Sequence, residues 1–465
     1  MQDHIFKTYD IRGKVGSELE IEKVYDLAKA IAFYFEEQGA NVKKIAIGMD
    51  GRVHSKQILE RLSNGFLDYG IDVIFIGVCP TPVLYFAQYY LNVDAAIMIT
   101  ASHNTKEYNG LKICLNKNCV WGKDIQKIKK IFKSERFKFL NKKSAIFEQK
   151  DLNEEYIYFL IESFPKLKNK NFKVIFDCAN GATGTIIPNL IKKFNWKNAE
   201  TLFQDVDGNF PNHEADPVVE KNISVLKQMV KEKFDLGIGF DGDGDRMAPI
   251  TKTGQLVFGD KLTAIFAKSI ATKQANIKVI HDVKFSNGVL KFLQDQNITT
   301  IMSPSGHSII KHNMKKESAQ FAGELSCHFF FNDRYFGYDD GIYAALRLLE
   351  VLDESAKNLQ DLVDEIPQTF STPELRLECK ESEKNIIVED IKIFCAKLDD
   401  VEKICTLDGI LVTTTYGCAL IRSSNTQPAI CLRFESDTQQ GLEKIKSEFT
   451  KKLENYFDKS QLQNI

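Results

Sequence analysis

The sequence predicts an α/β protein: three similar mixed α/β domains plus a C-terminal α+β domain around a central cleft. Three observations predict it. Apolar strands ending in aspartate recur, as "KIAIGMD" to Asp50, "KVIFD" to Asp177 and "KVIHD" to Asp282. Each leads into helix-patterned sequence and then a second apolar strand that runs into a polar loop: "DAAIMITASHN", "DLGIGFDGDGD" and "AQFAGELSCH". After about residue 365 the repeat stops and the pattern changes. Strand, helix, strand implies parallel pairing, and ligands of such sheets meet the loops at the carboxyl ends of the strands, so the three polar loops are expected to converge.

The expected domains span 1–150, 151–253, 254–365 and 366–465. In the first, "SKQILERLSNGFLDYG" has apolar residues at helical spacing, with Ser55 as the expected N-cap and Gly70 as the stop. In the second, "FDLGIGF" and "MAPIT" read as short strands flanking a tight turn. In the last, "NIIVEDIKIFCAKL" alternates apolar and polar residues, "GILVTTTYGCALIR" and "AICLRFES" read as strands, and a helix begins near 438. The region of Pro367 is the expected joint.

The 61 lysines and arginines nearly balance 63 acids, for a formal net charge of -2, which recommends neither nucleic acid nor an anionic membrane as a partner. "MQDHIFKTYDIRG" lacks the features of a signal peptide and no apolar run reaches membrane-spanning length, so a cytoplasmic protein is expected. Ten cysteines, with only Cys114 and Cys119 closely spaced, read as reduced thiols and not as a zinc or disulfide framework.

The turn "DGDGDR" packs Asp241, Asp243 and Asp245 into five positions. Like charges this close repel unless a cation lies between them. An EF-hand is excluded because its glycine and glutamate positions hold Arg246 and Lys252. The dinucleotide-like "GIGFDG" is excluded because three carboxylates would repel a pyrophosphate. Oxygen-only ligands point to a hard ion, and magnesium at an open site completes its shell with phosphate oxygen. Ser102, in "ITASHNTKEYNGLK", leaves an apolar strand at the corresponding position of the first repeat. A phosphoryl group on Ser102 would complete that shell, and the metal would polarise the phosphorus to be transferred.

Together "YDIRG" at 9–13, "TASHN" at 100–104, "DGDGDR" at 241–246, "GELSCH" at 323–328 and "RSSNTQP" at 422–428 closely resemble the α-D-phosphohexomutases, of the bacterial phosphomannomutase/phosphoglucomutase type. The resemblance runs the length of the chain and includes "DGNFPNHEADP" and "FGYDDGIY". It implies four domains around a cleft, a phosphoserine at Ser102, and one Mg2+ per chain held by Ser102, Asp241, Asp243 and Asp245. It also implies interconversion of hexose 1-phosphate and hexose 6-phosphate through a hexose 1,6-bisphosphate. Arg12 and Lys112 are implied near the phosphoserine, assisting proton transfer, and Arg246 can neutralise phosphate charge. Tyr9, Lys284 and His328 match substrate-binding positions. Glu324 and Ser326 suit adjacent sugar hydroxyls, and His307 matches an acid/base position. Arg422, Ser424, Asn425 and Thr426 form a donor cluster for the non-reacting phosphate. Cys327 stands where the family motif has glycine and Leu325 where it has methionine, which puts the loop's backbone conformation in question.

Competing readings are a calcium- or sugar-phosphate-binding module without turnover, a nicotinamide-dependent oxidoreductase, and, within the family, phosphoglucosamine mutase. The last usually carries Ser-Gly-Thr where this chain has Ser424-Asn425-Thr426. Small phosphosugars are the expected partners, and the chain is expected to be a monomer or weak dimer.

Overall fold

A computed structural model of the chain describes residues 1–139, 145–398, 400–424 and 428–463. The chain divides into two compact units, one of residues 1–259 and 326–361, the other of 260–325 and 362–465. These units cut across the four expected segments: the stretch after Leu325 returns to the first unit, and the C-terminal segment belongs with the third repeat. No helix among the described residues is long and apolar enough to cross a membrane.

Among the described residues, two sheets lie wholly within the first unit. In the larger, the strands run in the order Ile11–Lys14, Tyr108–Leu115, Ala95–Ile99, Lys44–Met49, Asp72–Val78, Phe147–Gln149. Ala95–Ile99 pairs parallel with Lys44–Met49 and antiparallel with Tyr108–Leu115. Alternation along these strands sends Ile45, Ile47, Ile97, Ile99, Leu111 and Ile113 to one face. There they pack against helices Val24–Glu37, Ser55–Tyr69 and Lys123–Ser134 through Leu27, Ile58, Leu62 and Ile128. Helix Ser55–Tyr69 ends as expected on Gly70, at φ 87°. It does not begin on a Ser55 cap. His54 holds the N-cap position without a side-chain bond, and the Ser55 hydroxyl donates instead to Asp50 at 3.0 Å.

The smaller sheet runs Met247–Thr251, Leu236–Phe240, Val174–Asp177, Glu200–Leu202. Leu236–Phe240 and Met247–Thr251 form an antiparallel hairpin with Phe240 opposite Met247, so the acidic turn closes a ladder at the sheet's edge.

In the second unit, Lys278–Asp282 pairs parallel with Thr299–Ser303 and with Phe321–Gly323. The repeat seen in sequence is therefore a repeat of pairing: the aspartate-ending strand lies parallel to the loop-bearing strand three times. The C-terminal sheet is antiparallel, and helices Lys384–Cys395 and Gln439–Leu453 bury Ile387, Ile391, Ile445 and Phe449 against it. The alternating stretch at 385–398 is thus mostly helix, its apolar positions Ile387, Val388 and Ile391 falling on one buried side. Glu435 of this sheet accepts 2.8 Å bonds from the Ser286 hydroxyl and the Asn287 amide, tying the loop after Asp282 to the C-terminal strands.

Candidate active site

The serine loop is built by an arginine that sequence reasoning missed. Arg52 is fully buried and paired with Asp50 at 3.1 Å. Its guanidinium donates to the carbonyls of Ser102, Asn104, Thr105 and Tyr108 at 2.6 to 3.0 Å. One planar fork thereby fixes the loop's path. The available signal was "MDGR": the strand-ending aspartate marked the repeat, while the arginine two residues on drew no notice. Ser102 itself takes φ 51°, the left-handed region, and its amide donates to the Thr100 hydroxyl at 2.9 Å. Such backbone is costly for a residue with a Cβ and persists where surroundings enforce it.

The Ser102 hydroxyl donates to Asp241 Oδ2 at 2.8 Å. Close approach of the two loops requires glycine between the acids, since a Cβ at Gly242 would lie 2.6 Å from the Ser102 carbonyl oxygen. Asp241, Asp243 and Asp245 are all buried, each with a carboxylate oxygen within 4.8 Å of the others. Asp243 Oδ2 accepts from the Thr81 hydroxyl at 2.5 Å and from Lys112 at 2.6 Å, while Oδ1 has no hydrogen-bond partner. A buried carboxylate oxygen without a donor, among two more carboxylates, is the donor set of a hard divalent cation. The residues present fit such an ion.

Burial, then repulsion from Asp245 and Asp243, pushes the Asp241 carboxyl well above its usual range. Asp245 moves the opposite way: burial raises it, but Lys112 and His328 outweigh burial and hold it well below. Lys112 is buried yet held as an ammonium, because Asp243, Asp245 and Asp339 overcome the desolvation that would neutralise it. The structure thus places Lys112 on the acidic triad, with a direct ion pair to Asp245.

Arg12 pairs with Asp10 and donates to the Ala101 carbonyl at 3.2 Å and to Asn104 Oδ1 at 2.6 Å, beside the serine loop. Its Nε has no hydrogen-bond partner. Tyr9 is half-buried just before the strand that carries Arg12. Arg246 Nε lies 3.9 Å from Asp241 and 3.1 Å from His328 Nε2, and His328 in turn lies 3.1 Å from Asp245. Cys327 adopts φ 68°, so this loop keeps a glycine-type conformation despite the cysteine. Ser326 is half-buried at the start of the returning stretch.

The second unit gathers the remaining residues. Lys284 lies 3.3 Å from Asp282 and 3.5 Å from Glu374. Burial depresses this lysine, but those two acids raise it above its ordinary range, while Asp282 is pushed up to about 6, chiefly by burial. Glu324 accepts from the Gly306 amide at 2.7 Å. His307, expected in a loop, is the first residue of helix His307–Glu317 and is buried. Arg422 donates to Asp408 Oδ2 at 3.0 Å, and the same oxygen accepts from the Ser305 amide. The Ser424 carbonyl accepts from Lys384 at 2.8 Å, which anchors the start of the donor loop. Asn425 and Thr426 lie outside the described residues. Asp408, Glu374 and Lys384 were missed because each meets a residue far along the chain: Ser305, Lys284 and Ser424.

Models of four domains match this chain in order. Phosphoglucomutase/phosphomannomutase alpha/beta/alpha domains I, II and III match residues 3–139, 154–254 and 258–370, and the C-terminal domain matches 374–452. A phosphoglucomutase of Neisseria meningitidis is 38% identical over 451 residues, covering 97% of this chain and 96% of that protein. A phosphomannomutase/phosphoglucomutase of Pseudomonas syringae is 37% identical over 97% of this chain and 96% of that one. Among solved structures, a phosphoglucomutase/phosphomannomutase family protein from Burkholderia thailandensis superposes with a TM-score of 0.89, at 32% identity and 98% coverage of both chains.

Proposed function

The chain belongs to the phosphoglucomutase/phosphomannomutase family, and on that premise we propose that it interconverts hexose 1-phosphate and hexose 6-phosphate, of mannose or glucose, with Ser102 carrying the phosphoryl group. The observation that carries this reading is the 2.8 Å bond from the Ser102 hydroxyl to an acidic triad with an unsatisfied buried oxygen. A serine alone is a weak nucleophile, but here its oxygen is fixed beside groups suited to phosphoryl charge.

Asp241, Asp243 and Asp245 would hold Mg2+, together with an oxygen on Ser102. When bound, that ion polarises the phosphoryl group and offsets its charge. In the forward half-reaction the bond from phosphorus to Ser102 Oγ breaks and a bond to a sugar hydroxyl oxygen forms, giving the hexose 1,6-bisphosphate. The hydroxyl proton leaves to an acid/base group, the role assigned to His307. Lys112, kept protonated by its acidic neighbours, acts as a charge partner and proton donor to the serine oxygen, with Arg12 beside it and Arg246 on the transferred phosphoryl. The bisphosphate then returns its other phosphoryl to Ser102.

Tyr9, Lys284, Glu324, Ser326 and His328 are assigned to the sugar. Arg422, Ser424, Asn425 and Thr426 are assigned to the phosphate that does not react. The phosphoglucosamine reading is not favoured, since the full-length relatives carry glucose and mannose names. The test is turnover of mannose 1-phosphate, glucose 1-phosphate and glucosamine 1-phosphate side by side, each with catalytic bisphosphate, with Mg2+ and after chelation. Magnesium-dependent turnover of the first two is expected. A preference for the glucosamine substrate, or full activity after exhaustive chelation, would count against the proposal.

A further inference from the structure

The strand Tyr108–Leu115 turns back on itself through Asn116 and Lys117, both at positive φ, 49° and 62°. Two successive left-handed residues make the tight turn whose twist matches a two-residue hairpin. The register puts Leu115 opposite Asn118 and Cys114 opposite Cys119. The Val120 amide donates to the Ile113 carbonyl at 2.8 Å. In an antiparallel ladder, hydrogen-bonded and non-hydrogen-bonded pairs alternate, so the pair next to Ile113 and Val120 is a non-hydrogen-bonded one. At such pairs the Cα atoms approach to about 4.5 Å, inside the range a disulfide spans. The two sulfurs lie 3.8 Å apart.

This pair is coupled to the candidate site by the pleat. Ile113 faces the helix-covered core. Lys112 and Cys114, on either side of it, therefore share the opposite face. Lys112 reaches the acidic triad from there. The buried Tyr85 feels both sets of groups: burial, then Asp339, Cys119, Cys114 and Asp245, push its phenol well above the ordinary range. Cys114 is fully buried while Cys119 is only half-buried, which gives an oxidant access to one sulfur and leaves the other as its resolving partner.

We propose that Cys114 and Cys119 form a reversible intramolecular disulfide whose closure displaces Lys112 and lowers turnover. With hydrogen peroxide as the two-electron oxidant, the Cys119 sulfur, having given its proton to solvent, attacks one peroxide oxygen. The O–O bond breaks, and protonation of the departing hydroxide releases water and leaves a sulfenic acid. The Cys114 sulfur then attacks the sulfenic sulfur; the S–O bond breaks, and the hydroxide leaves with the Cys114 proton as a second water. The two thiols supply both electrons, and a dithiol reductant returns them. A Cα separation of about 4.5 Å lies at the short end of the range a disulfide takes, so bridging sulfurs that now stand 3.8 Å apart strains the pair and shifts the strand backbone beside Lys112. A bridge across one tight hairpin closes little chain entropy and belongs to the labile class.

Trypsin cleaves after Lys112, Lys117 and Lys123, placing Cys114 and Cys119 on separate peptides, 113–117 and 118–123. The full chain is treated with hydrogen peroxide, its remaining thiols are alkylated, and it is digested without reductant. The two peptides are expected joined, and separated again by dithiothreitol. Turnover measured in parallel should fall roughly ten-fold or more, as expected for a displaced site group, and recover with reductant. Cys119→Ser and Cys114→Ala should each keep their turnover through the same treatment. Separately alkylated peptides, or Cys119 joined to another cysteine, would overturn the disulfide. A joined peptide with unchanged turnover would overturn its coupling to Lys112. Only the turnover arm rests on the mutase reading; the joined peptide is independent of it.

Discussion

Ser102 Oγ donates a 2.8 Å hydrogen bond to Asp241 Oδ2, although the two residues stand 139 positions apart in the chain. Each sits just past the carboxyl end of a strand that pairs parallel with its own aspartate-ending neighbour. Two copies of one supersecondary unit thus bring together Ser102, the proposed phosphoryl carrier, and the acids proposed to hold its metal.

Arg52 supports the serine loop without belonging to the reacting groups. Arg52→Met removes the partner of buried Asp50 and leaves four loop carbonyls without this donor. Breaking a buried pair from one side costs about 3 to 5 kcal/mol. Denaturant unfolding should show a loss of that order. Unchanged stability would mean that the loop holds its own shape.

His213 lies 3.1 Å from Asp177. Burial lowers its affinity for a proton, but the Asp177 carboxylate outweighs burial and raises it above the ordinary value. A raised folded value means that the pair's contribution is complete below the unfolded histidine value of about 6.5 and is lost as pH rises through the folded one. The melting temperature of the natural chain should therefore exceed that of His213→Gln by more at about pH 6 than at about pH 8.5. An equal difference at both would show that the imidazole does not titrate into this pair.

Local patterns were legible in the sequence where one segment carries the whole signal. The acidic turn, Ser102 after its strand, and the Gly70 stop were all read from neighbouring residues. What escaped depends on distant partners. Ser55 has the composition of a cap, yet its hydroxyl is drawn to Asp50, five residues back and just past the end of strand Lys44–Met49, a choice set by where that strand ends in the sheet. The helix at 384–395 was masked by an alternation that also satisfies a 3.6-residue period. Asp408 meets Arg422 from the turn before strand Ile410–Thr414, once that strand pairs with Gly417–Ser423 in the C-terminal sheet.

Cys327 holds φ 68° and is fully buried. Left-handed backbone costs a residue with a Cβ about 1 to 2 kcal/mol, and the buried side chain returns a similar amount, about 0.8 kcal/mol per CH2 group. Cys327→Gly should therefore change stability by less than about 1 kcal/mol, whereas branched Cys327→Val should destabilise clearly more. Chemical denaturation of both variants checks the order, and equal losses would contradict it.

Arg422 is buried and anchored by Asp408. If it grips the non-reacting phosphate in both orientations of the bisphosphate, Arg422→Ala should lower kcat/KM with 1-phospho and 6-phospho sugars alike, by roughly ten- to hundred-fold. Kinetics in both directions on one preparation decide this. A loss confined to one direction would show that Arg422 does not serve both poses.

The central claim is that Ser102 is the phosphoryl carrier, and peptide mass spectrometry of an active preparation tests it most directly. Phosphate should be found on the peptide containing Ser102, increase on incubation with hexose 1,6-bisphosphate, and be absent from Ser102→Ala, which should have lost turnover. Phosphate on a different residue in an active preparation, or a Ser102→Ala variant that turns over at the natural rate, would contradict the account.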